Sequence, residues 1–147
     1  AWVAEVYLAL WHRAIQPSTA ATADCLLPLY DVTEQPLTVR HLQAKAHHAC
    51  KALQTYAQVF PIGRASAYLV QGIYTWLDGR QADAFAAWQQ CIDVATALEM
   101  RYELGCAHQQ LARHLPHGNP HRTAHLHAAE QIFADLNVMY DPLLAEI

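Results

Sequence analysis

The chain has 147 residues with a formal net charge of −4, and 54% of its residues are hydrophobic while 15% are charged. This length fits a single domain, residues 1–147, whose core is large enough to fold without disulfides or metal ions. The seven arginines and two lysines are scattered singly. We therefore expect no basic helix face, and neither a nucleic acid nor a membrane surface as a partner.

The distribution of apolar residues along the chain bears on the cellular compartment of the protein. No apolar run reaches the roughly 20 residues that a membrane-spanning helix needs. The apolar stretch at residues 1–10 lacks the basic start and the cleavage site of a signal peptide. We expect a cytoplasmic protein. Because Ala1 already lies within a helical pattern, we also expect the chain to be a piece of a larger protein.

Apolar residues recur every three or four positions along most of the chain, which predicts amphipathic helices and no strands. Pro17 and Pro61 are expected to end helices, because the residue before a proline leaves the helical conformation. Thr38 and Asn119 are predicted N-caps, and Gly79 is a predicted turn. The resulting prediction is an all-α fold of about seven helices packed as antiparallel hairpins, near residues 1–15, 19–30, 39–60, 64–77, 80–98, 101–115 and 120–136.

Several residues within these predicted helices are expected to be buried. Gly72 lies inside the helix predicted over 64–77, where glycine costs up to about 1 kcal/mol relative to alanine, so we expect it to admit a close neighbour. The four tryptophans fall on apolar faces and are predicted core residues. The four cysteines form no C-x-x-C pair and lie among alanine and leucine, so we expect them to be buried and unreactive.

The segment from residue 60 to residue 98 resembles the tetratricopeptide repeat, a helix–turn–helix unit of 34 residues. The residues that match its aromatic, small and turn positions are Tyr68, Gly72, Gly79, Ala84, Trp88 and Cys91. Gln71 and Thr75 depart from the pattern, and a second unit over residues 101–136 matches less well. This resemblance implies a TPR-like α-solenoid.

A more particular resemblance is to the C-terminal repeat region of large bacterial signal-transducing ATPases, some of which also carry a kinase or nucleotide-cyclase domain. The strings that carry it are Phe60-Pro-Ile-Gly-Arg64, Trp76-Leu-x-Gly79, Ala97-Leu-x-Met-x-Tyr-Glu103 and Arg113-His-Leu115. It implies a regulatory module without chemistry of its own, which binds a protein partner or other domains of the parent chain. A homodimer is a further possibility that the low charge leaves open.

The repeat register predicts which residues line the binding groove. In the first unit the lining residues are mostly apolar: Ser66, Leu69, Ile73, Trp76 and Leu77. We expect this part of the groove to be filled by the chain's own long helix or by a neighbouring segment. In the second unit they are more polar: Cys106, Gln109, Arg113, Pro116 and His117. Arg64 and Arg101 each begin a predicted helix, where an arginine is either solvated or locally paired, or pairs with a carboxylate such as Glu99 or Glu103. The predicted partner-binding residues are therefore Arg101, Gln109, Arg113 and His117.

The sequence contains no recognisable catalytic motif, so we predict neither enzymatic activity nor a cofactor. It has no phosphate-binding loop, nucleophile elbow or H-E-x-x-H string. Six of its ten histidines fall between His108 and His127, and we expect them to be mainly solvated. His121 and His125 are four positions apart on one helix face, as metal-binding pairs are. The alternative function is therefore a small-molecule or metal sensor that uses residues 108–127.

Overall fold

The computed structural model describes residues 2–16 and 38–138. Its helices are α1 (Trp2–Ile15), α2 (Val39–Val59), α3 (Arg64–Leu77), α4 (Gln81–Ala97), α5 (Arg101–His114) and α6 (Pro120–Leu136), and a single 3₁₀ turn, Pro61–Gly63, joins α2 to α3. No strand occurs within these two ranges, so the all-helical prediction is confirmed there. The helix predicted near 19–30, with Cys25, lies outside the described residues.

The predicted helix boundaries have local causes. The Thr38 hydroxyl accepts a hydrogen bond from the backbone N–H of His41 at 3.4 Å, and the Asn119 side chain accepts one from the N–H of His121 at 2.9 Å. Both residues are N-caps as predicted, because each satisfies a donor that the first helical turn leaves open. Phe60, ahead of Pro61, has extended backbone angles (φ −115°, ψ 101°) and ends α2.

Consecutive helices pack in opposite directions. In α3 and α4, Trp76 contacts Phe85 near the turn, whereas the Cys91 thiol donates to the Ala65 carbonyl at the far end. By contrast, α3 and α5 run in the same direction, because the start of α3 contacts the start of α5 and the end of α3 contacts the end of α5. Each helix packs on its neighbours in the chain, and α3 additionally contacts α1 and α5.

The core is centred on the fully buried Trp88 of α4. Its indole lies against Gly72 of α3 so closely that a Cβ added at residue 72 would overlap the indole nitrogen. The expectation that Gly72 admits a close neighbour is therefore confirmed. Trp11 is also buried and Trp76 is half-buried, so both pack as predicted. The close approach of α4 to α3 depends on the missing side chain at Gly72.

Three helices end in the same way, with one residue in the left-handed backbone region. These residues are Gly79 (φ 82°), Glu99 (φ 54°) and Asn137 (φ 51°). At the end of α4, the N–H of Met100 donates to the carbonyl of Ala95 at 2.8 Å, which is the 6→1 hydrogen bond of a Schellman motif. Glycine is the usual residue at this position, so Glu99 holds a strained conformation.

We expect Glu99→Gly to raise the free energy of unfolding by about 1 kcal/mol, because glycine reaches positive φ without the steric cost that glutamate bears. Glu99→Ala is the matched control: it removes the same carboxylate but keeps the strain, so stability should change little. Urea unfolding of the three proteins measures both effects. If the alanine and glycine variants were equally stabilised, the gain would come from the lost charge and not from the backbone.

Candidate functional site

The predicted partner-binding residues of the α5 region are spread along the whole helix. Arg101 is the first residue of α5 and His117 lies three residues beyond its end, while α5 itself extends about 20 Å at 1.5 Å per residue. Gln109 is half-buried and Arg113 is exposed one turn later. The structure therefore does not bring the four residues together into one compact site, and their role in binding stays a prediction.

Both arginines at helix starts have hydrogen-bond partners within the protein. Arg101 binds Asp135 of α6 at 2.7 Å, and this hydrogen bond, with a second one from Gln131, lowers the pKa of the Asp135 carboxyl. Arg101 therefore pairs with a carboxylate, but with Asp135 and not with Glu99 or Glu103. Arg64, at the start of α3, donates from Nε to the Ala57 carbonyl at 3.4 Å.

Two side-chain contacts show how α5 lies against α3. Cys106, the predicted groove counterpart of Ser66, is completely buried. Instead, the Ser66 hydroxyl donates to the carboxylate of Glu103 at 3.1 Å, across 37 positions of sequence. Trp76, at the other end of α3, packs on His114 with ring centroids 4.0 Å apart and an interplanar angle of 35°. Glu103 and His114 of α5 therefore face α3, and neither belongs to the predicted groove set.

Three histidines are held in the protein rather than solvated. The Nδ1 atoms of His108 and His125 lie 2.8 Å apart across α5 and α6, so these two imidazoles pair with each other. His114 stacks on Trp88 with an interplanar angle of 9°, and burial lowers its pKa from 6.5 to about 4. Burial likewise lowers the pKa of His108 and of His125.

The remaining histidines of this region match the expectation, because His117, His121 and His127 are exposed. Within residues 2–16 and 38–138, no group of three or more histidine, cysteine, aspartate or glutamate side chains is placed to hold a metal ion. Three cysteines, Cys50, Cys91 and Cys106, are buried, and burial raises the pKa of each thiol. A thiol with a raised pKa is a poor nucleophile at neutral pH.

A polar cleft lies between α2 and α3, with a volume of about 530 Å³. Its lining consists of three glutamines, two alanines, one tyrosine and one arginine: Gln54, Ala57, Gln58, Arg64, Ala67, Tyr68 and Gln71. The amides of Gln54 and Gln71 join across it at 3.0 Å. This lining supplies hydrogen-bond donors and one guanidinium but no carboxylate, which suits a ligand with carbonyl or carboxylate oxygens.

The outer side of α2 carries a cluster of positively charged and imidazole side chains, which we call the basic face: Arg40, His41, Lys45, His47, His48 and Lys51. All six are exposed, and α2 contains no aspartate or glutamate. At 100° per residue they fall within an arc of about 160°, opposite the buried Leu42, Ala46 and Cys50. The expectation that no helix would have a basic face is therefore wrong.

The basic face ends at an exposed apolar surface, which we call the apolar corner and which consists of Tyr56, Val59, Phe60 and Ile62. Their exposed fractions are 48%, 68%, 50% and 66%. The rings of Tyr56 and Phe60 stack with centroids 4.8 Å apart. Large apolar side chains that are exposed together, beside charged ones, are typical of interaction sites.

No protein-family model, no curated protein and no solved structure matches the chain. None of the helices within the described residues is both long enough and apolar enough to span a bilayer. The resemblances to tetratricopeptide repeats and to signal-transducing ATPases therefore stay predictions that rest on the residues that carry them.

Proposed function

We propose that this chain is a non-catalytic, TPR-like module that binds a polypeptide segment in the cleft between α2 and α3. The observation that carries the proposal is the chemistry of that cleft. Glutamine amides, a tyrosine hydroxyl and a guanidinium can bond the carbonyls and side chains of an extended chain. None of the lining groups is a carboxylate, imidazole or thiol that could exchange protons or attack a substrate near neutral pH.

The order of helix contacts supports a stack of hairpins. Each helix reverses direction relative to the one before it, and α3 and α5 lie side by side in the same direction through Ser66–Glu103 and Trp76–His114. In repeat proteins each unit packs on its neighbours alone. We further propose about seven helices in the stack and a regulatory role in a bacterial signalling protein, the latter resting on the strings between residues 60 and 115.

Selection of a random peptide display library on the immobilised chain tests the proposal. We expect enriched peptides to compete with one another for one site, and Arg64→Gln to weaken their binding about tenfold, the effect of losing one charge-assisted hydrogen bond. Arg113→Gln is the matched control, since it removes the same charge from α5. The proposal fails if no peptide is enriched, or if the α5 variant and not the cleft variant abolishes binding.

A further inference from the structure

We infer that the partner is an acidic polypeptide segment that lies along the basic face of α2, enters the cleft at Arg64 and rests apolar side chains on the apolar corner. This inference rests on the proposed function and adds the chemical class of the ligand. It places binding on the outer side of α2, not in the predicted groove between the first helices of the repeats. Its basis is a local excess of positive charge together with the position of the cleft and of the apolar corner.

The basic face holds two cations that form no ion pair within the described residues. Arg80 binds Asp78 and Asp83, and Arg101 binds Asp135. Arg40 and Lys51, in contrast, have no ion-pair partner among residues 2–16 and 38–138. With Lys45 they give α2 a formal charge of +3, in a chain whose formal charge is −4. A potential of one sign concentrated on one face attracts a ligand of the other sign.

The basic face leads directly into the cleft. At 100° per residue, Arg40, His47, Lys51 and the cleft residues Gln54 and Gln58 lie within about 60° of one another on α2. From Arg40 to Gln58 the helix rises about 27 Å, which an extended segment of about eight residues spans. A single segment can therefore contact the cations of α2 and the Arg64 guanidinium at the same time.

The apolar corner favours a polypeptide over the other anionic partners. Phe60 and Ile62 lie at the turn that immediately precedes Arg64, so a ligand that reaches the Arg64 guanidinium also covers exposed apolar surface. A nucleic acid backbone would leave Val59 and Ile62 in water. The apolar face of α2 itself is buried in the core, so the helix cannot sink into a bilayer as a surface-bound amphipathic helix does.

A titration with synthetic peptides tests this inference. The probe is a fluorescein-labelled peptide of about ten residues, rich in glutamate with two leucines at one end, and the comparison peptide replaces each glutamate by glutamine. We expect the acidic peptide alone to bind, and its affinity to fall with added salt as screened charges do. Arg40→Gln/Lys51→Gln should weaken it about fivefold or more, whereas Arg13→Gln/Arg80→Gln, with the same change of net charge, should not.

The outcomes separate this inference from the proposed function. If the display library enriches peptides that need Arg64 but are not acidic, the polypeptide-binding function stands and the acidic partner is refuted. Equal binding of the glutamate and glutamine peptides also refutes it. Binding of phosphatidylserine vesicles or of a single-stranded oligonucleotide more tightly than the acidic peptide, with loss in Arg40→Gln/Lys51→Gln, would identify a different anionic partner and overturn it.

Discussion

Replacing Gly72 by alanine should lower the free energy of unfolding by about 2 kcal/mol, although alanine is the better helix former. The added Cβ would overlap the indole of Trp88, and overpacking of this kind costs up to about 3 kcal/mol, of which helix propensity returns up to about 1 kcal/mol. Trp88 cannot simply turn away, because Trp76, Phe85 and His114 surround its ring. Urea unfolding followed by circular dichroism measures the loss.

A double-mutant cycle identifies the cause of this loss. In a Trp88→Leu background the space over residue 72 is open, so Gly72→Ala should become neutral or stabilising by up to about 1 kcal/mol. Gly118→Ala is the control, because a Cβ at Gly118 meets nothing within 4 Å. A loss at Gly72 of the same size with and without Trp88 would show that the close contact between α3 and α4 is not its source.

Acidification should destabilise the fold by about 2 kcal/mol between pH 6.5 and pH 4, mainly through His114. Burial lowers its pKa from 6.5 to about 4, so in this range the unfolded chain binds a proton that the folded chain does not. Stability is therefore fully present above about pH 6.5 and is lost as the pH falls. This pKa shift corresponds to at most about 3 kcal/mol of unfolding free energy. The imidazole is still partly in contact with solvent, which makes the expected loss smaller.

The variant His114→Phe tests the source of this pH dependence, because phenylalanine can keep the stacking on Trp76 and Trp88 but does not titrate. The slope of unfolding free energy against pH should fall by up to about 1.4 kcal/mol per pH unit, the contribution of one proton. A smaller dependence from His108 and His125 should remain. His117→Gln, at an exposed position, should leave the slope unchanged. An unaltered slope in His114→Phe would assign the acid sensitivity to other groups.

The six helices of the described residues and their caps could be predicted because their causes are local. Thr38 and Asn119 cap the turns that follow them, and Pro61 ends the helix that precedes it. The contact between Gly72 and Trp88 was partly predictable, since a glycine inside an apolar helix indicates a close neighbour. The sequence could not identify Trp88 as that neighbour without the register of α3 against α4.

The candidate site was harder to predict because its parts meet only in three dimensions. The cations of α2 are separated by five and six positions, at residues 40, 45 and 51, and appear isolated along the chain. A helical projection over residues 39–59 alone would have gathered them on one face. The pairing of His108 with His125 needs the relative position of α5 and α6, which no pattern within either helix specifies.

Mapping peptide-induced chemical-shift changes onto isotope-labelled protein tests the central claim most directly. With the acidic peptide or an enriched display peptide, the largest changes should fall on the backbone amides of Gln54, Gln58, Arg64 and Gln71, and on those of the basic face of α2. Changes concentrated on Gln109, Arg113 and His117 instead would place the binding site on α5 and contradict the assignment of the α2–α3 cleft as the binding site.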